Sequence, residues 1–478
     1  MPNRRFQAAG QAAGQAAAQP AGQAAGATPQ PVATGTLLRE GRAFCLAPWV
    51  HLAIGVGGVA TPCCEAKGDF GQAGRQPIDE IWHGQPFRDF RAAMLRDERD
   101  PRCRKCYEVE ETGGRSLRQN FNLDFANHIG RADPVTAGSD ALAPPRPVSL
   151  DVRFSNLCNF ACRMCWHGSS SKWFADASRL GRTAGPSALI TSFRTQVDGV
   201  QALRPLLATV EHIYWAGGEP LLMQEHYDVL AELLAIGRDD VTLTYNSNMS
   251  ELHAGKFDIL ALWSRFRHVT LEASIDGVGR RGELIRHGLS WAQFVENVVA
   301  VKRRCPHVRI RFGITVSVFN ACVLADLHRD LVALGCCGAH DFRIHPLQEP
   351  AHYSIRILPR RLKRKIARRL MAYKRTLPGI VDDPASRIPI GHQFQHIVDH
   401  MMAADQQELI EQFRAVTLSL DERRAEATGT ICPELAPLLR TSMPTRLRRR
   451  AVDGLRRAAA MARRWWMAAA GSAASGGT

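Results

Sequence analysis

Between residues 148 and 346 the chain alternates short apolar, β-branched runs with longer segments of helical period, six times in succession. The runs are 148–154, 210–216, 241–246, 268–275, 308–316 and 341–345, and amphipathic segments at 190–207, 222–236, 251–264, 291–304 and 323–335 stand between them. Strands joined by helical crossovers lie parallel in one sheet. Six such units fall short of the eight that close a barrel. The expected fold is therefore α/β, a partial (β/α)6 TIM-like barrel. In that architecture chemistry collects after the C-terminal ends of the strands, and the unusual residue clusters of this chain fall there.

The first cluster follows the first strand directly: Ser155-Asn156-Leu157-Cys158-Asn159-Phe160-Ala161-Cys162-Arg163-Met164-Cys165, a C-x3-C-x2-C spacing. Three thiolates within eight residues can wrap one small inorganic centre, and they are one ligand short of the four that close a zinc or [4Fe–4S] site. The missing ligand leaves a position for a substrate or cofactor. A structural zinc site or three separate core cysteines are the plainer readings of the spacing. The second strand ends in Gly217-Gly218-Glu219-Pro220, where two glycines permit a close backbone approach and a carboxylate can accept from an ammonium. Small polar groups follow the next strands: Asn246 and Asn248, then Ser274 and Asp276, then Asn320. Each of these alone is an ordinary turn or cap.

Together these motifs resemble the radical S-adenosylmethionine (SAM) superfamily. The resemblance implies that Cys158, Cys162 and Cys165 hold three irons of a [4Fe–4S] cluster while the fourth binds SAM. It also implies that Gly217, Gly218, Glu219 and Pro220 meet the methionine amino group. Asn246, Asn248, Ser274, Asp276 and Asn320 occupy positions that in the family contact the SAM carboxylate, its ribose or the substrate. Many members carry an aromatic residue just before the third cysteine, packed on adenine. Here Met164 stands there and Trp166 follows, so either residue is placed to cover the adenine.

Five more cysteines precede the barrel: Cys45, the pair Cys63 and Cys64, Cys103 and Cys106. Cys45, one of the Cys63/Cys64 pair, Cys103 and Cys106 make a four-thiolate set, which closes either a zinc site or a [4Fe–4S] cluster. The arrangement resembles the SPASM and twitch modules that carry auxiliary clusters, and this favours a second [4Fe–4S] cluster. Such modules usually follow the barrel; here the order is reversed, as in a group of twitch-domain-containing radical SAM proteins. The likeness to that group covers about 43–346, including Ser169-Ser170-Ser171-Lys172-Trp173, and extends more loosely to 431–437. His51 reads as a turn or core histidine, and Cys305, Cys322, Cys336, Cys337 and Cys432 as small buried hydrophobes.

The expected organisation is a low-complexity Gln/Ala/Gly segment at 1–36, the cysteine module at 37–129, a Pro/Gly linker at 130–147, the barrel at 148–346, a helical basic extension at 347–440 and an Arg-rich tail at 441–478. Helices are expected at 78–95, 359–376, 394–425 and 446–467. Arg4-Arg5 resembles the start of a twin-arginine export signal, but the Gln-rich stretch after it has no apolar region. No apolar run approaches a membrane span. The net charge of +15 is local: 356–375 holds ten Lys/Arg and no acid, and 440–478 holds nine Arg and one acid. A nucleic-acid binder would spread its charge over the body.

The expected activity is reductive cleavage of SAM and hydrogen abstraction from a peptide or protein side chain. Carbohydrate or cyclitol oxidation is the second reading and an RNA substrate the third; a non-enzymatic metal-binding scaffold on nucleic acid or membrane is the alternative to an enzyme. Expected partners are an electron donor such as flavodoxin or ferredoxin, a peptide or small-molecule substrate, and an anionic surface met by the basic segments. The thiol usage suits a reducing cytoplasm.

Overall fold

The computed structural model describes residues 33–133, 141–183, 185–377 and 388–440. All six expected strands are present: β3 (Ser149–Val152), β4 (His212–Trp215), β5 (Thr242–Ser247), β8 (Val269–Ser274), β9 (Arg309–Val316) and β10 (Phe342–Pro346). They pair in parallel with their neighbours. The cysteine module adds two more, β1 (His51–Ile54), parallel to β3, and β2 (Ala60–Thr61), antiparallel to β1. The sheet order is β10-β9-β8-β5-β4-β3-β1-β2. The hairpin β6 (His253–Ala254) and β7 (Phe257–Asp258) stands apart from it.

The strands have two unlike faces because successive side chains point to opposite sides. Leu150, Val152, Ile213, Trp215, Leu243, Tyr245, Leu271, Ile310, Phe312, Ile314, Phe342 and Ile344 are buried on one face and belong to a single core with the crossover helices. The other face is polar and is tied across the strands. Ser149 Oγ lies 2.7 Å from His51 Nδ1 and 3.0 Å from His212 Nδ1, and His212 Nε2 lies 3.0 Å from Thr244 Oγ1. Asp151 pairs with Arg153, Ser274 donates to Asn246 at 2.7 Å, and Arg343 reaches Glu272 at 3.4 Å. Gly313 leaves room for that carboxylate, since a Cβ there would stand 2.9 Å from Glu272 Oε1.

This polar face is the inside of a curl. Tyr214 on β4 is within electrostatic reach of Arg343 on β10, although the two strands are four places apart. In a flat sheet that is about 19 Å. The structure is thus the partial barrel expected, its lumen polar and its outside apolar.

Local chemistry redrew several expected boundaries. The helix expected over 78–95 is two, Ile78–Trp82 and Gln85–Leu95, because Gly84 is extended and Pro86 starts a new first turn. The 190–207 segment becomes helical only at Gln196, behind a Thr195/Asp198 capping box. The 251–264 segment opens with the β6–β7 hairpin, and its helix, Ile259–Trp263, starts where Asp258 caps it. The 394–425 helix is two, Ile390–Met402 and Ile410–Arg424, while Arg360–Lys374 falls where expected. A helix starts at Thr34, inside the low-complexity segment. The described part of the 130–147 linker is anchored rather than loose: Trp49 Nε1 donates to Ala141 O at 2.6 Å and Arg91 Nη1 to Leu142 O at 2.8 Å. The Arg-rich tail and its expected helix lie outside the described residues. Among the described residues no helix is long and apolar enough to cross a membrane.

Burial holds the imidazoles of His51 and His226 down at about 3. The unfolded chain takes up these protons near pH 6.5, about three units above the fold. The stability contributed by the neutral rings is therefore present above about pH 6.5 and lost as pH falls toward 3. Thermal unfolding should show a midpoint that drops from about pH 7.5 to about pH 5, and His226→Gln should reduce that drop. An identical drop in the variant would contradict the assignment.

Candidate functional site

The loop after β3 carries Cys158, Cys162 and Cys165 with little regular secondary structure, so side chains hold it. Asn156 is fully buried; its Nδ2 donates to His167 O at 2.7 Å and to Ala188 O at 3.0 Å, and its Oδ1 accepts from Ile190 N at 2.8 Å. Trp173 Nε1 donates to Cys162 O at 2.7 Å, and the Cys158 N–H faces Ser171 Oγ at 3.3 Å. The β4 exit presses on the same loop. A Cβ on Gly218 would stand 2.1 Å from Leu157 O, and Glu219 N donates to Leu157 O at 2.7 Å. Gly217 has φ +128°, a conformation that glycine tolerates.

Glu219 is buried, and its oxygens accept from Leu221 N (3.1 Å), Ser247 Oγ (2.8 Å) and Asn248 N (2.6 Å). Burial pushes its carboxyl up to about 7, against those three donors. Asn248 Nδ2 donates to Asn159 Oδ1 at 3.0 Å and lies 3.9 Å from Cys158 Sγ. The structure therefore brings Gly217, Gly218, Glu219, Pro220 and Asn248 against the three-cysteine loop, with Asn246 and Ser274 on the adjoining lumen face. Asp276 and Asn320 are placed differently. Asp276 is fully buried, ion-paired with Arg286 at 2.6 Å and accepting from Thr315 N at 2.7 Å. Asn320 spends its amide on Ser317 N, Asp276 O and Thr315 O. Both brace the turn after β9. Met164 is half-buried, and Trp166 is 57% exposed beside Cys165.

The thiols of the loop share one environment. Burial pushes Cys158 up to about 12, with Glu219 and Cys162 adding to it, and burial, Cys162 and Cys158 push Cys165 up to about 12. Arg286 opposes the rise at Cys162 and Cys165. Three thiolates at such a place need a bound cationic centre to exist, which fits an iron–sulfur cluster.

The N-terminal module makes a second thiol set. Asn122 and Arg118 hold the Cys45 turn: Asn122 Oδ1 accepts from Leu46 N at 2.8 Å, and Arg118 Nη1 donates to Phe44 O at 2.9 Å. Asp100 caps the short turn that carries Cys103, and Cys106 follows three residues later on the same face. After burial, the causes raising Cys45 are Cys103 and Cys106, and those raising Cys63 are its neighbour Cys64, then Cys45 and Cys106. Cys64 points elsewhere. It is exposed, and the charged groups nearest it in effect are Asp151 and Arg153 of the lumen wall. It lines a cavity of about 220 Å³ with Thr61, Lys67 and Arg153. His51 is a core residue bonded to Ser149. Among the five remaining cysteines, Cys305, Cys336 and Cys432 are buried and Cys322 and Cys337 half-buried. Among the described residues no three Cys, His, Asp or Glu side chains converge as a single metal ion requires.

Comparison with known proteins matches these two regions. Residues 152–317 match the family model of the radical SAM superfamily, and residues 45–107 match SPASM, an iron–sulfur cluster-binding domain. The chain carries a radical SAM domain and, N-terminal to it, a SPASM domain. The first domain type implies a [4Fe–4S] cluster with SAM, and the second implies auxiliary iron–sulfur. No curated protein matches the chain. Similar solved structures include anSMEcpe with bound AdoMet (16% identity over 48% of this chain and 60% of that chain, TM-score 0.35). Another is anSMEcpe with bound AdoMet and Cp18Cys peptide (17%, 48% and 60%, TM-score 0.34). A third is Streptococcus suis SuiB bound to S-adenosylmethionine (11%, 60% and 63%, TM-score 0.34). The chain spans about 60% of the length of the first of these.

The contact at Gly218 gives a direct test. Gly218→Ala must displace backbone rather than a flexible side chain, and should cost about 1–3 kcal/mol in anaerobic denaturant unfolding. Gly185→Ala, where nothing lies within 4 Å, should cost under about 0.5 kcal/mol.

Proposed function

We propose that this chain cleaves SAM reductively at the Cys158/Cys162/Cys165 site and uses the radical to abstract a hydrogen atom from a substrate in the barrel lumen. When bound, the cluster supplies the electron that breaks the SAM sulfonium bond. The observation that carries the reading is the meeting of the three-thiol loop, the Gly217–Pro220 turn and Asn248 at one rim of a polar lumen.

The roles follow from the contacts. An ionised carboxylate offers about four acceptor sites. Glu219 uses three on its own chain, which leaves one for the SAM ammonium, and that charge would favour the ionised form. Asn246, Asn248 and Ser274 present polar groups toward the nucleoside or substrate. Asp276 and Asn320 act through the turn they brace. Trp166, exposed beside Cys165, covers adenine better than Met164 because it offers an aromatic face.

Cys45, Cys63, Cys103 and Cys106 hold the auxiliary [4Fe–4S] cluster, and Cys64 is a lumen residue. The substrate class is a peptide or protein side chain. The lumen wall presents guanidinium groups (Arg153, Arg343), carboxylates (Asp151, Glu272) and the Tyr214 hydroxyl, the donors and acceptors that a polar, partly charged chain needs. Carbohydrate or cyclitol oxidation is the second reading. A flavodoxin or ferredoxin as electron donor, a reducing cytoplasm as setting, and anionic contacts for the basic segments complete the proposal.

Replacing Cys158, Cys162 and Cys165 by Ala in the full chain should abolish 5′-deoxyadenosine release under reductant. Release that persists would overturn the assignment. After anaerobic reconstitution, Cys63→Ala should lose about four irons per chain, while Cys64→Ala should keep the full complement. The reverse pattern would make Cys64 the ligand.

A further inference from the structure

The longest-range contacts of the cysteine loop run to the far end of the described chain, beyond the region matched by the radical SAM family. Arg163 lies between Cys162 and Cys165, and its side chain is fully buried. Its backbone N–H donates to Ile285 O at 2.7 Å and its Nε to Leu284 O at 3.1 Å. Its Nη2 pairs with Asp421 Oδ1 at 2.5 Å and with Glu426. These acids sit where the Ile410–Arg424 helix ends in a left-handed Ala425, with φ 51° and ψ 41°. Asp421 also accepts from Thr428 N at 2.9 Å and Thr428 Oγ1 at 2.7 Å, and His287 Nδ1 lies 2.7 Å from Glu426 Oε1.

A second tie runs beside the first. Asp176 pairs with Arg423 at 3.1 Å and with Arg424 at 2.7 Å. The Arg424 guanidinium lies 5.0 Å from the centre of the Trp173 ring, and Trp173 donates to Cys162 O at 2.7 Å. The Ile410–Arg424 helix end therefore grips the cysteine loop at Arg163 and the short helices that follow it at Trp173 and Asp176.

We propose that Asp421 and Glu426 through Arg163, with Arg423 and Arg424 through Asp176 and Trp173, form a clamp that sets the spacing of the three thiols. The proposal rests on reading Cys158, Cys162 and Cys165 as the cluster ligands. These seven residues act through the cysteine loop and not on a reacting atom, so they are positioning residues. Buried charge pairs of this kind weaken strongly when one partner is neutralised, because the other charge is left alone in the interior. Neutralising both acids leaves Arg163 in that state directly beside two ligands.

The test uses the full chain carrying Asp421→Asn and Glu426→Gln together, which keeps side-chain shape and removes charge. Hydrogen exchange should accelerate roughly tenfold or more across 158–176 and stay unchanged across 45–107. In the reconstituted protein the electron paramagnetic resonance signal of the SAM-cleaving cluster should change its response to SAM, with the auxiliary signal retained. 5′-Deoxyadenosine release should fall at least about tenfold, as expected when a reacting geometry is loosened. If the double variant does not fold, Asp176→Asn cuts the outer tie alone and should give a several-fold acceleration over the same segment. Unchanged exchange at 158–176 in a folded variant overturns the clamp, and so does equal acceleration over the whole chain, which would mark a merely structural role. If the wild-type chain releases no 5′-deoxyadenosine, the proposed activity fails, while the exchange comparison still decides the clamp.

Discussion

Charged and hydroxyl side chains at every second position of the barrel strands cannot be buried without partners, and the rest of the molecule follows from how they are partnered. Ser149 bridges His51 and His212, and His212 meets Thr244, so three neighbouring strand pairs are joined by side chains as well as by backbone. The apolar positions between them pack against the crossover helices. A sheet with one apolar and one polar face buries the first under helices and curls around the second. That curl brings the strand ends together at one rim, where the cysteine loop, the Gly217–Pro220 turn and Asn248 meet. The lumen below the rim is polar and its charges are mostly paired, as with Asp151 and Arg153.

The cysteine module is part of this barrel rather than an appendage. β1 extends the sheet in parallel beside β3, and His51 joins the polar belt. The two neighbouring cysteines after β2 then face different ways. Cys63 is within reach of Cys45 and Cys106, and Cys64 is within reach of Asp151 and Arg153. Cys64 and Arg153 line one cavity, so the module and the lumen wall meet there.

Local signals were legible in the sequence and long-range ones were not. The six strands announced themselves by β-branched runs, and the site announced itself because C-x3-C-x2-C and Gly-Gly-Glu-Pro are contiguous. β1 escaped notice because His-Leu-Ala-Ile is four residues long and its pairing partner lies almost 100 positions away. The helix breaks at Gly84 and Asp258 had signals, a Gly before a Pro and a capping Asp, which the longer apolar periodicity masked. The placement of Asp276 and Asn320 as braces was not readable, since it depends on Arg286 and on the turn after β9. Nor was the role of Arg163, whose acidic partner Asp421 lies 258 residues downstream. The basic charge at 356–375 reads partly as structure: Lys363 is buried and donates to Ala404 O at 2.7 Å.

The central claim is that two thiol sets hold two different clusters, one of which keeps an iron open for SAM. Mössbauer spectroscopy of the full chain, reconstituted anaerobically with 57Fe, tests it most directly. The account predicts about eight irons per chain in two [4Fe–4S] clusters, with a single iron site perturbed when SAM is added. About four irons with zinc in the remaining site, or a spectrum indifferent to SAM, would contradict it.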